Sequence, residues 1–253
     1  MFVAVRSAAR VVGFVLWTVL WGTMALLGRL LLFPSAALQA RWGAGCASSW
    51  GRGCSWLCGL DLVVEGPEPP PGSFIAANHV SWADIWVLGA ACPAIFIAKV
   101  EIASWPIMGW LAKAGGTLWV DRRRMRDTVR LREELRAHLE RGVRIHIFAE
   151  GGAGSGERIR PFKPPLFESP AELGVPCVPA VITYHDPELW WPDDAVLARH
   201  FLHVMRKPRS RVTVRFGAPV RGITDRKELA AELQRRAEEL FDLSGSGSSR
   251  SAS

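Results

Sequence analysis

In "AANHVSWADIW" (76–86) one histidine stands five residues ahead of one aspartate, among residues that are mostly apolar. A histidine paired with a carboxylate can act as a general base. The carboxylate keeps one ring nitrogen protonated, and the other nitrogen is then free to take a substrate proton. On an ideal helix, positions five apart are rotated by roughly 140° and share no face. Cooperation between His79 and Asp84 therefore requires the chain to turn between them. Ser81 reads as a helix N-cap, and Ser81-Trp82-Ala83-Asp84 fits a capping box in which Asp84 reaches back to free backbone N–H groups. On the capping reading alone, Asp84 only starts a helix. On the fuller reading it does that and also orients His79.

Three further stretches carry polar residues at the ends of apolar runs. In "GGTLWVDRR" (115–123), Arg122 could place a guanidinium fork on a phosphate, or be a surface arginine in a turn. In "IFAEGGAGSGERIRPFKPPLF" (147–167), Glu150 precedes a glycine-rich loop whose N–H groups, starting at Gly151, could cradle an anion. A flexible loop is the plainer alternative. No dinucleotide fingerprint is present, because Pro161 blocks a helix after the glycines, and Ser155 lacks the frame of a hydrolase nucleophile. In "GVPCVPAVI" (174–182) the prolines look structural. His146 alternates within a strand, and His200 and His203 lack a carboxylate cluster, so none is read as a metal ligand.

The elements that must position these residues alternate along the chain. "FIAAN", "AIFIAK", "GTLWVD", "RIHIFA", "CVPAVITY" and "RVTVRFG" read as strands. Helices are expected at "SWPIMGWLAKA", at about 125–141 with Leu131, Leu135 and Leu139 facing the core, and at about 225–242. This pattern predicts an α/β layered sheet with flanking helices. Residues 11–28 carry no charge, follow Arg6 and Arg10 and precede Arg29. They read as a membrane anchor, spanning or lying in the interface, with a signal peptide or a buried helix as rivals. Residues 34–60 read as a second membrane-contacting segment, and "GPEPPPG" (66–72) as a turn closing it. The expected division is an anchoring segment over 1–60, a catalytic domain over 61–243 and a disordered tail over 244–253.

The net charge of +7 points to an anionic partner, and twelve Trp against one Tyr favour a membrane interface over nucleic acid. No RNA-binding aromatic signature or zinc-finger spacing is present. Five cysteines at irregular spacing read as reduced packing thiols on a cytoplasmic-facing protein.

Taken in order, the four stretches resemble the motifs of the glycerolipid acyltransferase family, which includes the 1-acyl-sn-glycerol-3-phosphate acyltransferases. Asn78, His79 and Asp84 match its N-H-x4-D; Gly116, Val120 and Arg122 match its G-x-x-x-V-x-R. Phe148, Glu150 and Gly151 match its F-P-E-G-T, and Val175, Pro176 and Pro179 its proline-bearing fourth motif. The match covers roughly 60–225, and "FGAPV" (216–220) resembles the closing strand. The resemblance implies a membrane-bound O-acyltransferase of phospholipid biosynthesis. Its donor would be acyl-CoA or acyl-ACP, its acceptor 1-acyl-sn-glycerol-3-phosphate, and no cofactor or metal is needed. It makes His79 the base and Asp84 its orienting partner. Arg122, Glu150 and Gly151 would hold the acceptor's polar head, with Lys163 a weaker candidate. It also implies a bacterial inner membrane, with the catalytic domain on the cytoplasmic side. The family's third-motif proline and threonine are Ala149 and Gly152 here. That departure predicts a looser loop and keeps two alternatives in view: another lysolipid acceptor such as lyso-ornithine lipid, or a non-catalytic membrane protein.

Overall fold

The structure, a computed structural model, describes residues 2–105, 108–120, 125–191 and 196–248. Its strands are β1 (Leu60–Glu65), β2 (Phe74–Ala77), β3 (Ile95–Lys99), β4 (Leu118–Val120), β5 (Ile145–Phe148), β6 (Cys177–Tyr184) and β7 (Ser210–Phe216). They form one sheet in the order β1-β7-β6-β2-β5-β3-β4. All neighbours are parallel except β6 and β7. The helices are α1 (Phe2–Leu31), α2 (Ala36–Cys58), α3 (Asp84–Ala91), α4 (Met108–Ala114), α5 (Met125–Glu140), α6 (Glu168–Leu173), α7 (Leu197–Arg206) and α8 (Arg226–Ser248).

Helices cover both faces of the sheet, which is why β2 is buried along its whole length and reads as a continuous apolar run. The alternation of a strand then sends its side chains into two cores. Phe74 and Ala76 join Leu131, Leu135 and Leu139 of α5 and Leu229, Leu233 and Ala237 of α8. Ile75 and Ala77 join Trp86, Val87 and Leu88 of α3 and Trp50, Cys54 and Cys58 of α2. Strands β6, β2, β5, β3 and β4 point the same way, so Tyr184, His79, Glu150, Lys99 and Val120 gather at one edge of the sheet. In open α/β sheets this carboxyl edge is where ligands bind.

Helix α1 is long and apolar enough to cross a membrane, but it is packed lengthwise on the domain. Thr18, Gly22, Ala25 and Gly28 form its buried stripe, at helical spacing. Glycine there lets indoles approach closely: Trp110 fills the notch at Gly22, and Trp42 the notch at Gly28. Trp50 Nε1 donates to Thr18 Oγ1 at 3.0 Å, and Trp17 Nε1 to the Trp50 carbonyl at 3.1 Å. Arg6 and Arg10 donate to the last carbonyls of α7, and Arg29 to the carbonyl of Lys113 at the end of α4. The opposite stripe, including Val12, Leu16, Val19 and Leu20, is exposed.

Several elements differ from the sequence reading. Ser81 does not cap α3: that helix starts at Asp84 after Ala83, with no side-chain cap. The Asp84 carboxylate instead accepts from Val80 and Ser81 N–H, so it serves as its own helix's brace. Strand β1 and helix α7 were not expected. β1 is a sheet edge with intermediate burial, and α7 is strongly two-faced, so neither forms a long apolar run. Helix α8 runs to Ser248, past the expected tail boundary at Leu243. Residues 249–253 lie outside the described residues.

Candidate active site

The turn required between His79 and Asp84 exists, and it brings His79 Nδ1 to 2.8 Å from Asp84 Oδ2. Asn78 anchors the start of that turn. Its side chain accepts from Ile182 N at 2.7 Å and donates to Ile182 O at 3.0 Å, tying the end of β2 to β6. Asp84 is fully buried. Its Oδ2 also accepts from Val80 N at 2.6 Å and Ser81 N at 2.9 Å, and its Oδ1 accepts from the Tyr184 hydroxyl at 2.7 Å. Asp84 thus meets four donors without contact with solvent. The carboxylate in turn holds the proton on His79 Nδ1, which leaves Nε2 as the acceptor. The imidazole stacks on Phe148, with ring centres 4.1 Å apart and planes inclined by 13°. Ring stacking and carboxylate together define both the tilt and the direction of the base.

Glu150 braces this arrangement from β5. Its Oε2 accepts from His79 N at 3.3 Å, and its Oε1 from Arg160 N at 2.9 Å. The Arg160 guanidinium pairs with the same carboxylate and also donates to Gly152 O. Burial pushes the Glu150 carboxyl above its ordinary range, against the pull of Arg160 and the two backbone amides. The sequence reading gave Glu150 to the acceptor's head group. The structure turns its carboxylate inward, where it holds His79 and Arg160, and a carboxylate facing a phosphate would repel it.

Gly151 takes φ = 76°, a left-handed turn that suits glycine, and the Lys163 side chain lies over it. A β-carbon at Gly151 would come within 3.0 Å of Lys163 Nζ. Lys163 makes no ion pair among the described residues. The N–H groups of Gly151 and Gly154 are engaged, by Phe148 O at 3.1 Å and His79 O at 2.8 Å. Those of Gly152 and Ala153 are without a partner among the described residues, so an anion at this loop would meet them rather than the Gly151 N–H. Ala149 is buried, and its N–H donates to Ala77 O at 2.8 Å, a bond that a proline could not make. Arg122 lies outside the described residues, with Asp121 and Arg123.

Beside His79 opens a cavity of about 260 Å³. It runs past Phe96 and Ile147 to Trp21, Gly22 and Ala25 of α1 and Trp50 of α2, and Lys99 and Gly152 also border it. Its wall is overwhelmingly apolar, which suits a hydrocarbon chain. His79, held by Asp84 and partly exposed, thus lies next to a greasy slot and a loop followed by a lysine. The other histidines are elsewhere. His146 is buried in β5, within 2.9 Å of Cys92 O, and burial pushes its pKa down to about 4. His200 lies 2.6 Å from Trp82 Nε1, and His203 lies 3.1 Å from Glu188. Sequence reasoning passed over Tyr184 and Arg160. The available signal for Tyr184 was the sequence's single tyrosine at the end of a mostly apolar strand, and for Arg160 an arginine ten residues after Glu150 in the loop.

Comparison with known proteins agrees with this geometry. A family model described as Acyltransferase matches residues 62–183. A lyso-ornithine lipid O-acyltransferase of Pseudomonas aeruginosa is 35% identical over 192 residues, 71% of this chain and 74% of that protein. One from Rhizobium meliloti is 30% identical over 92% of this chain and 90% of its own length. A 1-acyl-sn-glycerol-3-phosphate acyltransferase of Neisseria gonorrhoeae is 36% identical over 151 residues, 56% of this chain and 59% of its own. The crystal structure of PlsC, the 1-acyl-sn-glycerophosphate acyltransferase of Thermotoga maritima, superposes with a TM-score of 0.66 at 20% identity. That superposition covers 92% of this chain and 96% of that one, and it establishes the shared fold. With relatives of this similarity and length, and with His79, Asp84 and Glu150 brought together at one sheet edge, the chain belongs to the H-x4-D glycerolipid acyltransferase family.

Proposed function

We propose that this protein moves a fatty acyl group from acyl-CoA or acyl-ACP to the free hydroxyl of a lysolipid with an anionic group. The observation that carries this reading is the His79–Asp84 pair, oriented by a buried carboxylate at the side of an apolar cavity. His79 Nε2 takes the hydroxyl proton as the oxygen attacks the thioester carbonyl. The tetrahedral intermediate then expels the thiolate, which takes that proton back from the imidazolium as free thiol. General-base catalysis of this kind contributes about 10²–10⁴-fold. No acyl-enzyme and no cofactor beyond the thioester co-substrate are required.

The acceptor proposed first is 1-acyl-sn-glycerol-3-phosphate, giving phosphatidic acid. Lys163, the Gly152 and Ala153 N–H groups and Arg122 would hold its phosphate, with Gly151 supplying the turn that admits it. A second acceptor, lyso-ornithine lipid, is favoured by alignment length. The Rhizobium meliloti relative is matched over 90% of its length, against 59% for the Neisseria gonorrhoeae one. Its ornithine carboxylate would suit the same lysine and amides. The exposed apolar stripe of α1 would lie along a bilayer surface, with the basic excess drawing the protein to anionic lipid. In a bacterium, cytosolic donors place the catalytic domain on the cytoplasmic side of the inner membrane.

The test is release of free thiol from acyl-CoA or from acyl-ACP by detergent-solubilised protein offered lysophosphatidic acid, lyso-ornithine lipid or an uncharged monoacylglycerol. Acceptor-dependent release with one of the first two is expected and identifies the acceptor. Equal release with all three would overturn the anionic-group reading, and none with any would overturn acyl transfer.

A further inference from the structure

Tyr184 lies 100 residues from Asp84 in sequence, yet its hydroxyl donates to Asp84 Oδ1 at 2.7 Å. The two oxygens of that carboxylate are served differently. Oδ2 meets His79 and two backbone N–H groups, whereas Tyr184 is the donor to Oδ1. Tyr184 is buried, at the carboxyl end of β6, next to β2 in the sheet. Burial and the neighbouring Asp84 hold its phenol well above its ordinary pKa, so it stays protonated and serves Asp84 as a donor.

We infer that Tyr184 is a positioning residue for the base: it fixes Asp84 so that Oδ2 faces the imidazole, and it draws charge off the carboxylate, setting how tightly His79 holds a proton. The inference rests on the reading of His79 as the base. A hydrogen bond to one carboxylate oxygen lowers the negative charge left to stabilise an imidazolium at the other. Weakening that bond should raise the proton affinity of His79, and strengthening it should lower it. The other charged groups around the pair stay the same in both variants below. They are Glu150 at the His79 backbone, Arg160 paired with Glu150, Lys163 over Gly151, and Lys99 beside the cavity. Cys58 is the further titratable neighbour of Tyr184.

The sequence supplies an unusually clean test, because Tyr184 is the one tyrosine among its 253 residues. Growth on 3-fluorotyrosine therefore changes this side chain alone, giving a more acidic phenol that donates more strongly. Tyr184→Phe removes the donor. For Tyr184→Phe, kcat should fall about tenfold or more with acceptor KM within about twofold, and the acid limb of kcat/KM should move to higher pH. For the fluorotyrosine protein the acid limb should move to lower pH with the fold retained. Opposite shifts support the inference. Wild-type acid limbs in both proteins, with any loss confined to Tm, would overturn it in favour of a purely structural tyrosine. If Tyr184→Phe fails to fold, the direction of the fluorotyrosine shift decides alone. His79→Ala, run alongside, separates the two readings: retained turnover there removes the base itself, whatever Tyr184 does.

Discussion

At the scale of the residue, the site is a chain of fixed hydrogen bonds ending in one free nitrogen. His79→Ala should lower turnover by at least about 10²-fold, the size of a lost general base, with the fold kept. Asp84→Asn should lower kcat severely, because a neutral amide stabilises no imidazolium. It should also lower Tm, since Asp84 accepts from Val80 and Ser81 N–H. An effect on Tm alone would reduce Asp84 to a helix brace. A second residue-scale prediction concerns pH and stability. Burial lowers the pKa of His146 from 6.5 to about 4, so between those values the unfolded chain binds a proton that the folded chain refuses. Stability from this residue is complete above about pH 6.5 and is lost as pH falls towards 4, by the order of a few kcal/mol. His146→Gln can still donate to Cys92 O but does not titrate, so its denaturation free energy should fall less than that of the wild type over this window. Parallel slopes for the two proteins would count against the assignment.

At the scale of the element, the ends of strands and the stripes of helices decide. Ala149 closes β5 with an N–H bond to Ala77 O, and the loop after it is tied through Arg160 and through Gly154 to His79. The looseness expected from its glycines is countered by these bonds. Restoring the family's proline by Ala149→Pro should therefore destabilise the fold by about 1–3 kcal/mol, the cost of leaving a buried acceptor unpaired. Chemical denaturation reads this directly, and an unchanged midpoint would show that the strand end can re-pair. On α1, Leu16→Asp with Leu20→Asp alters the exposed stripe and leaves the buried Thr18–Gly22–Ala25 stripe untouched. This double variant should lose most binding to anionic vesicles while keeping its Tm. Undiminished vesicle flotation would place the membrane contact on another face.

At the scale of the whole molecule, the apolar N-terminal helix belongs to the catalytic body. Trp21, Gly22 and Ala25 wall the cavity beside His79, and arginines bind both ends of the helix to α7 and α4. Deletion of residues 1–33 should then abolish turnover in detergent micelles as well as membrane binding. A separable anchor would predict a released but fully active domain, and that outcome would refute the shared-wall arrangement. The net charge of +7 adds a further expectation. Vesicle binding should weaken as salt shortens the Debye length from about 10 Å at 0.1 M to about 3 Å at 1 M, but the apolar contribution should persist.

Local sequence carried a large part of this. His79 and Asp84 at their spacing, the apolar runs that became β2, β5 and β6, the leucine stripe of α5 and the uncharged stretch of α1 were all legible, because each depends on residues within one or two turns or strand steps of one another. The sheet order was not, and it is the sheet order that makes β6 and β2 neighbours and so delivers Tyr184 to Asp84 across 100 positions. It likewise brings Glu150 from β5 beneath the His79 backbone, where burial and Arg160 turn an expected head-group ligand into a brace. Helix α1 shows the same division. Its composition declares that one face must leave water, but only packing against α2, α4 and α7 determines that the other face lines the cavity beside the base. Hydrophobic periodicity is a property of near neighbours, whereas hydrogen-bond partners and cavity walls are set by which distant strands and helices the closed core makes adjacent.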